Sequence, residues 1–500
     1  MARLDIKKYR EDSEDFLSSL EKEYYLHFSG RKNTYEVEDI YRRSKLFNRE
    51  NIDEIGKKLK ERPQGKRYLY LLKFCIENFI ESKTASIKEA VARDEASCRI
   101  EVDKRSVPLR YLEVLLSNEP DKVKRDGIED KRNEKIEELL NPSLLRYWES
   151  LHRQAKHLGF NSYRDLFSYI KGEDLNETSE QMQELVAQTQ NIYEKNFGLL
   201  MRQELELDFK GSRRSDLAYL KRAKGYDGFF GREYLIESFT DTLTQMGIGT
   251  RSQKNICFDV EQRENKSPRA FCAAVRIPQE IYLVIMPSGG QDDFEAFFHE
   301  GGHAQHFANV SPSLEFEYRC LGDNAVTEGF AFLMESLLGN IDWLTGFLGM
   351  DTHAAKSFTY FNALLKLWYC RRYAAKLKYE LRLHDGSPIE GKQDDYVSIL
   401  SESNLMSYDP ETYLKDVDEG FYCTNYIRAW MFEAQFRQYL VKKFGSRWYS
   451  KKKAGDFLKE VWSYGQKYDV YEIISQLDHK MDVGYLIDSI KEIILSYKKL

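Results

Sequence analysis

The sequence lacks the long apolar runs of a membrane protein and the apolar core of a secretory leader. Its first residues, "MARLDIKKYREDSEDFLSSLEKEYY", are highly charged, and no segment approaches 18 uninterrupted apolar residues. It also lacks a Cys-x-x-Cys pair. The seven cysteines are scattered and odd in number, which favours reduced thiols over a disulfide framework or a zinc ribbon. These absences predict a soluble, cytoplasmic protein with no membrane partner.

Basic stripes and helix breakers are also scarce. The formal net charge is −6 and positive charge is not concentrated, which argues against nucleic acid as a partner. Only 10 prolines interrupt the 500 residues, and long stretches carry apolar residues at helical spacing. These stretches are Tyr68–Ile80, Leu109–Leu116, Lys135–Leu158, Ser179–Leu205, Ser357–Leu383 and Tyr426–Phe444. We therefore predict a mostly α protein.

One region departs from the helical pattern. The stretch "RAFCAAVRIPQEIYLVIMPSGG" (269–290) carries two β-branched and aromatic runs, Val275–Ile277 and Ile281–Ile285. Pro278 and Gln279 separate the runs, and a Pro-Ser-Gly-Gly sequence closes the region. Such a pattern predicts a β-hairpin or a small sheet inside the helical protein.

The chain is long enough for more than one domain. Looser sequence occurs at 207–216 and again at 383–395, where Gly, Ser and charged residues cluster. We take the first of these as the main division. It predicts an N-terminal helical lobe at 1–210 and a catalytic lobe at 211–500.

The chemistry is concentrated in "FEAFFHEGGHAQHFANV" (294–310). On a helix, His299 and His303 are four residues apart and lie on one face, where both imidazoles can bind one metal ion. Glu300 is rotated to the side and can reach a water in an open coordination position. The pattern His-Glu-x-x-His therefore predicts a metal site with a general base. The alternative is a pair of structural histidines on an apolar face, which is the commoner use of that residue.

The same helix has a predicted start and an unusual interior. Asp292 and Glu295 form a possible capping box after the Gly-Gly turn, so the helix should begin there and run to about Asn309. Gly301 and Gly302 cost up to about 1 kcal/mol each in a helix interior. We expect them where another element, such as a second ligand-bearing helix, comes close.

A zinc site of this kind takes a third protein ligand. The run "LGDNAVTEGFAFLMESLL" (321–338) reads as a second helix opened by Asp323 or Asn324. Glu328 lies near its start and is the predicted third ligand, whereas Glu335 is predicted to orient a ligand imidazole. His306 is predicted to be structural or supporting. Each carboxylate could instead be an ordinary helix-surface group.

These residues resemble the thimet oligopeptidase and oligoendopeptidase F family of zinc peptidases, with angiotensin-converting enzyme as a more distant relative. The resemblance is carried by "KSPRAFCAAVRIPQEIYLVIMPSGGQDDFEAFFHEGGHAQHF", "NAVTEGFAFLMESL" and "GFYCTNYIRAW", within about 266–430. It implies a two-lobed helical molecule with a deep channel and one zinc ion per chain. It also implies His299, His303 and Glu328 as ligands and Glu300 as the base.

The resemblance implies further site residues outside the metal helices. The strand around Phe271, Cys272 and Ala273 would pair with the backbone of a bound peptide as an added strand. Tyr422 and Tyr426 are the candidates for phenols that stabilise the oxyanion, with Arg428 beside them. Relatives carry a histidine shortly before these tyrosines, and "YLKDVDEGFYC" has none.

We therefore expect a zinc-dependent oligoendopeptidase that hydrolyses short peptides as a monomer or homodimer. A first alternative is a dipeptidyl-carboxypeptidase in which Arg428 or a nearby cation binds the substrate's C-terminal carboxylate. A second is a peptide-binding homologue that keeps the metal site and has weak turnover, which the missing histidine would favour.

Overall fold

The protein is described by a computed structural model covering residues 4–63, 65–249 and 253–497. It is mostly α, as predicted: 70% of the structure is helical, and the described residues form two small sheets. The α-helices are α1 Ile6–Phe28, α2 Val37–Arg43, α3 Arg49–Glu61, α4 Lys66–Ser97, α5 Leu112–Asn118, α6 Lys122–Lys135, α7 Asn141–His157, α8 Tyr163–Lys171, α9 Leu175–Ile192, α10 Gly198–Leu205, α11 Arg214–Lys221, α12 Tyr234–Gln245, α13 Gln291–Ala308, α14 Phe316–Cys320, α15 Asn324–Glu335, α16 Ile341–Phe347, α17 Thr352–Leu383, α18 Gln393–Asn404, α19 Cys423–Phe444, α20 Lys452–Trp462, α21 Val470–Ser475 and α22 Gly484–Ser496.

Short irregular helical turns extend or join several of these helices. Two are π-helical, Ile136–Leu140 and Tyr193–Phe197, and each continues the helix before it into the helix after it. The 3₁₀ turns are Leu109–Tyr111, Phe209–Gly211, Lys224–Phe229, Ser336–Gly339, Pro410–Thr412, Glu419–Phe421 and Trp448–Ser450.

The six stretches with helical spacing lie in helices or in these turns, except for Leu158 just after α7, so that prediction is confirmed. Local signals are visible at two helix starts. Pro142 lies in the first turn of α7, directly after the π-helical segment that continues α6, so its missing N–H falls at the irregular junction of the two helices. Ser162 caps α8 by accepting a hydrogen bond from the backbone N–H of Asp165.

The strands are β1 Arg99–Val102, β2 Arg105–Pro108, β3 Ile256–Asp259, β4 Phe271–Arg276 and β5 Glu280–Val284. Strands β4 and β5 form the predicted antiparallel hairpin, with Phe271 opposite Val284 and an irregularity between Ala274 and Arg276. Strand β3 pairs in parallel with β5, so β4 is an outer strand of this sheet. The β1–β2 hairpin was not predicted.

Two compact units make up the chain, and each is assembled from three segments. Unit 1 comprises Met1–Phe79, Lys224–Thr359 and Arg428–Leu486, whereas unit 2 comprises Ile80–Ala223, Tyr360–Ile427 and Ile487–Leu500. This division differs from the predicted lobes 1–210 and 211–500, because the looser sequence at 207–216 and at 383–395 falls inside unit 2.

In unit 1, α1 packs along the β4–β5 hairpin. The Tyr25 ring stacks on Tyr282 at 3.7 Å between centroids, and the Tyr24 ring meets Phe271 edge-on at 5.3 Å. Tyr25, Phe271, Ala273 and Val284 form a buried apolar cluster between the helix and the sheet. The sheet is therefore held between α1 on this face and the rest of unit 1.

Among residues 4–63, 65–249 and 253–497, no helix combines the length and the apolar character that crossing a bilayer requires.

Candidate metal centre

The helix α13 carries the His-Glu-x-x-His motif, and it begins differently from the prediction. It starts at Gln291 with Gly290 as the capping residue, so the predicted capping box between Asp292 and Glu295 does not form. Asp293 acts at the start instead: its Oδ2 accepts the backbone N–H groups of Ser288 at 2.6 Å and Gly289 at 2.8 Å. The helix ends at Ala308, one residue before the predicted Asn309.

The helix α15 carries the predicted third ligand, and Asp323 caps it as expected. The Asp323 carboxylate accepts a hydrogen bond from the backbone N–H of Ala325 at 3.0 Å. The same carboxylate pairs with both terminal nitrogens of Arg428, at 2.7 and 2.9 Å. Both side chains are buried. Arg428, predicted to bind substrate, is therefore engaged at the start of α15.

The adjacent glycines of α13 lie where two other helices approach. A Cβ at Gly302 would come within 2.6 Å of the Cα of Ala331 and 2.7 Å of the carbonyl oxygen of Phe330, both on α15. A Cβ at Gly301 would overlap the ring of Phe239 on α12. Glycine at 302 is thus required for the close contact between α13 and α15, and the expectation that another element approaches the Gly-Gly pair is confirmed.

The three predicted ligands converge. The Oε2 atom of Glu328 lies 3.3 Å from Nε2 of His299 and 3.6 Å from Nε2 of His303. Zinc ligands lie about 2.0–2.2 Å from the ion, so tetrahedral geometry sets neighbouring ligand atoms roughly 3.3–3.6 Å apart. The observed separations match the edges of such a tetrahedron. The donor set of two imidazoles and one carboxylate also suits zinc, so these residues fit the ion that the resemblance implies.

Each imidazole has a polar partner on its other nitrogen. The Nδ1 atom of His299 lies 2.9 Å from Oε2 of Glu335, the residue predicted to orient a ligand. The Nδ1 atom of His303 lies 2.8 Å from Oγ1 of Thr327, which sequence reasoning missed. Such partners fix the ring orientation and leave Nε2 for a metal. His306 instead packs in the core, with Nε2 3.3 Å from the carbonyl oxygen of Gly465.

The predicted base, Glu300, lies against the outer strand of the sheet. Its Oε2 accepts the backbone N–H of Cys272 at 2.9 Å, so this N–H points away from β5. The neighbouring side chains of Phe271 and Ala273 are buried against α1 and belong to its apolar cluster. In β4, the backbone N–H of Cys272 therefore contacts the site, whereas the side chains of Phe271 and Ala273 pack in the core.

The charges in the site are coupled. Burial disfavours the charged imidazole of His299, but hydrogen bonds to Glu328 and Glu335 outweigh burial and raise its pKa well above the usual value. Burial likewise disfavours the Glu328 carboxylate, but the charges and hydrogen bonds of His303 and His299 lower its pKa overall. Positive charge is therefore stabilised at the point where the three ligand atoms meet, which a bound cation would also provide.

Two residues of α1 that sequence reasoning missed lie near the base. The pKa of Tyr24 is raised to about 12 by burial and then by the negative charges of Glu300 and Glu21. Burial and the charges of Glu300 and Glu21 also raise the pKa of the Cys272 thiol. Both shifts indicate that Glu21 and Glu300 lie close enough to Tyr24 and Cys272 for their charges to act on both groups. Glu21 and Glu300 are about 280 positions apart in the chain, so the sequence carries no signal for their proximity.

The predicted tyrosines lie in unit 2, whereas the three candidate ligands lie in unit 1. The structure brings Tyr422 and Tyr426 together, with ring centroids 5.2 Å apart, and Tyr373 meets Tyr426 edge-on at 5.7 Å. Their action on a bound substrate stays a prediction.

Unit 2 also contains a second group of possible metal ligands, formed by Glu380, Asp418 and Cys423. Lys376 pairs with Asp418 at 2.8 Å, and the Cys423 thiol donates to Glu380 at 3.1 Å. Burial raises the pKa of Glu380 to about 8 despite the nearby lysine. The group therefore already contains a cation, and we interpret it as a buried polar network.

No protein-family model and no curated protein matched the chain. Assignment to the thimet oligopeptidase and oligoendopeptidase F family therefore continues to rest on the quoted motifs and stays a prediction.

Proposed function

We propose that this protein is a zinc-dependent peptidase that hydrolyses short peptides in the cytoplasm. The observation that carries the proposal is the convergence of the ligand atoms of His299, His303 and Glu328, at 3.3 and 3.6 Å from imidazole to carboxylate. These three side chains would hold one zinc ion. When bound, that ion supplies a Lewis acid that polarises a peptide carbonyl and acidifies water.

Glu300 is the proposed proton carrier. Its carboxylate would take a proton from the attacking water and deliver it to the nitrogen of the leaving amine. The hydrogen bond from the backbone N–H of Cys272 holds one carboxylate oxygen at 2.9 Å and limits its rotation. Because that bond comes from the outer strand β4, the base lies beside the edge on which a substrate backbone would pair.

Short, unstructured peptides are the proposed substrates. A chain that adds to the edge of β4 must be extended there, which folded proteins rarely allow at an internal segment. Tyr422 and Tyr426 are the proposed phenol donors to the oxyanion, as the family resemblance implies. In the carboxypeptidase alternative, Arg428 is the less suitable cation, because its guanidinium is buried in a two-bond ion pair with Asp323.

The decisive experiment combines metal analysis with cleavage mapping. Purified protein should hold about one zinc ion per chain and cut a mixed library of peptides of roughly 5–15 residues, with activity lost in a chelator and restored by zinc. Glu300→Gln should keep the zinc and lose at least about 100-fold in kcat/KM. Full activity of this variant, or cleavage that ignores the chelator, would overturn the proposal.

A further inference from the structure

Glu21 is an unusual residue of α1, because its neighbours on that helix have partners and it has none that the structure describes. One turn earlier, Ser18 accepts a hydrogen bond from Arg276 of β4 at 3.2 Å, and Lys22 pairs with Glu280 of β5 at 2.6 Å. Glu23 pairs with Lys32 at 2.8 Å. Within residues 4–63, 65–249 and 253–497, Glu21 makes no hydrogen bond or ion pair.

The position of Glu21 follows from the contacts on either side of it. Ser18 lies three residues before it and touches the end of β4, whereas Tyr24 lies three residues after it and touches the start of β4. Residues three apart on a helix share a face, so Glu21 lies alongside the middle of β4. The influence of its charge on Cys272 agrees with that placement.

Glu21 is half-buried beside β4. Its side chain keeps partial solvent exposure, and burial raises its pKa to about 7. An unpaired carboxylate in such a place is costly, because it loses hydration without gaining a partner. A cation placed beside it would remove this cost.

We propose that Glu21 selects peptides with a cationic group, an ammonium or guanidinium, at the position that lies beside the middle of β4. The inference rests on the proposed function, because it assumes that a peptide pairs with that edge. Glu21 and Glu300 both lie near Cys272, so a chain that runs along β4 would pass both carboxylates. The cationic group could be a Lys or Arg side chain or the free amino terminus of the peptide.

Binding separates this inference from catalysis. The protein used is the zinc-loaded Glu300→Gln variant, and the probes are fluorescent decapeptides in which Lys, norleucine or Glu occupies each central position in turn. At one position we expect Lys to bind on the order of tenfold more tightly than norleucine, and Glu to bind more weakly. A second set with free or acetylated amino termini distinguishes the two sources of the cation.

The matched variants are Glu21→Gln and Glu11→Gln, both on α1. Glu11 is an exposed carboxylate, with 64% of its side chain accessible. We expect Glu21→Gln to reduce the Lys-to-norleucine ratio to about one, and Glu11→Gln to leave it unchanged. Zinc content and thermal midpoint establish that each variant is folded. If Glu21→Gln did not fold, the Lys, norleucine and Glu series on the Glu21-containing protein, measured at two salt concentrations, would still test the inference.

The outcomes are distinguishable. The inference would be overturned if Lys and norleucine peptides bound equally at every position and free and acetylated amino termini also bound equally. A preference for the cationic peptide that survives Glu21→Gln would overturn it as well. Hydrolysis by the wild-type protein without a charge preference would leave the proposed function standing and remove the role of Glu21. A Glu21-dependent preference in a wild-type protein that hydrolyses no peptide would support the inference and overturn the proposed function.

Discussion

At the scale of single residues, each ligand imidazole has its own hydrogen-bonding partner on Nδ1, the nitrogen that does not face the metal position. Glu335 lies 2.9 Å from Nδ1 of His299, and Thr327 lies 2.8 Å from Nδ1 of His303. With an acceptor on Nδ1, each ring keeps a proton there, so Nε2 is the nitrogen that faces the position of a metal. The ligand atoms are thereby oriented before a metal arrives.

Removing the partner of His299 should weaken zinc binding without removing a ligand. We expect Glu335→Ala to lower zinc affinity by roughly 10- to 100-fold, because the imidazole loses its orientation and some basicity. Competition with a zinc-binding dye measures this change. The control is Glu237→Ala, an exposed carboxylate on α12 of the same unit. Equal zinc affinity in the two variants would contradict the supporting role of Glu335.

A second prediction tests whether Arg428 stabilises the folded protein or binds substrate. We expect Arg428→Met to destabilise the protein by about 3–5 kcal/mol, because the buried Asp323 carboxylate at the start of α15 loses its partner. Chemical denaturation measures this loss, and Lys459→Met, which removes an exposed pair on α20, should cost less than about 1 kcal/mol.

The same variant tests whether Arg428 binds a substrate carboxylate. Peptides with a free or an amidated C-terminus should lose activity to the same extent in Arg428→Met. A loss confined to the free C-terminus would show that the guanidinium acts on substrate and would revive the carboxypeptidase alternative.

At the scale of helices and strands, the contact between α13 and α15 sets the metal geometry. The backbone of α15 approaches Gly302 so closely that no side chain fits between them. Replacement by alanine must therefore move one helix away from the other. Glu328 lies on α15 and both histidines lie on α13, so this movement would separate the carboxylate from the imidazoles.

Gly302→Ala should consequently reduce both stability and zinc affinity. We expect a loss of about 1–3 kcal/mol in the free energy of unfolding, as for other overpacked interiors, together with weaker zinc binding. Gly346 on α16 is a matched control, because a Cβ there meets no atom within 4 Å and alanine favours a helix. If Gly302→Ala behaved like Gly346→Ala, the close approach of the two helices would not matter for the site.

The predictable elements were those with a strong local signal. His299, Glu300 and His303 lie within five residues of one helix, and the apolar spacing and Asp323 marked α15, so the sequence pointed to the meeting of these groups. The start of α13 was predicted wrongly, because Gly290 takes a left-handed conformation with φ of 97° and supplies the cap without a side chain. The roles of Thr327 and Glu21 depend on contacts between elements, for which a single sequence has no periodic signal.

The β1–β2 hairpin escaped prediction for a different reason. Its strands have only four residues each, the shortest run in which an alternating pattern can be recognised, and the alternation fails in β2. The turn residues Asp103 and Lys104 both have positive φ, a geometry that Asn-Gly or Asp-Gly pairs usually announce. Because Lys104 and not glycine occupies the second turn position, the usual sequence signal for the turn is missing.

At the scale of the whole molecule, the sequence did not reveal how the chain divides. Four of the five boundaries between the units fall inside α4, α17, α19 and α22, where the helix continues without a linker, and the fifth lies between Ala223 and Lys224. Composition and loop signals locate the looser sequence at 207–216 and 383–395, and both segments lie inside unit 2 and not at a boundary. Which segments belong together is set by contacts between residues hundreds of positions apart.

Unit 2 contains a buried pair of histidines. Nε2 of His152 lies 2.8 Å from Nδ1 of His384, among the rings of Trp148, Tyr163 and Phe421. Burial, followed by nearby positive charge, lowers the pKa of His152 to about 4 and that of His384 well below its usual value. Folding therefore keeps both rings neutral at pH values where the unfolded chain would bind protons.

Acid should destabilise the protein through this pair. The stabilisation is fully present above about pH 6.5, the unfolded value for histidine, and is lost as the pH falls toward 4. For His152 alone the loss is on the order of 3 kcal/mol, which thermal unfolding at a series of pH values would detect. His152→Gln should flatten this dependence, since glutamine cannot be protonated, whereas the exposed His353→Gln should leave it unchanged. An identical acid dependence in all three proteins would mean that the buried pair does not limit stability, and that the loss begins at carboxylates elsewhere in the chain.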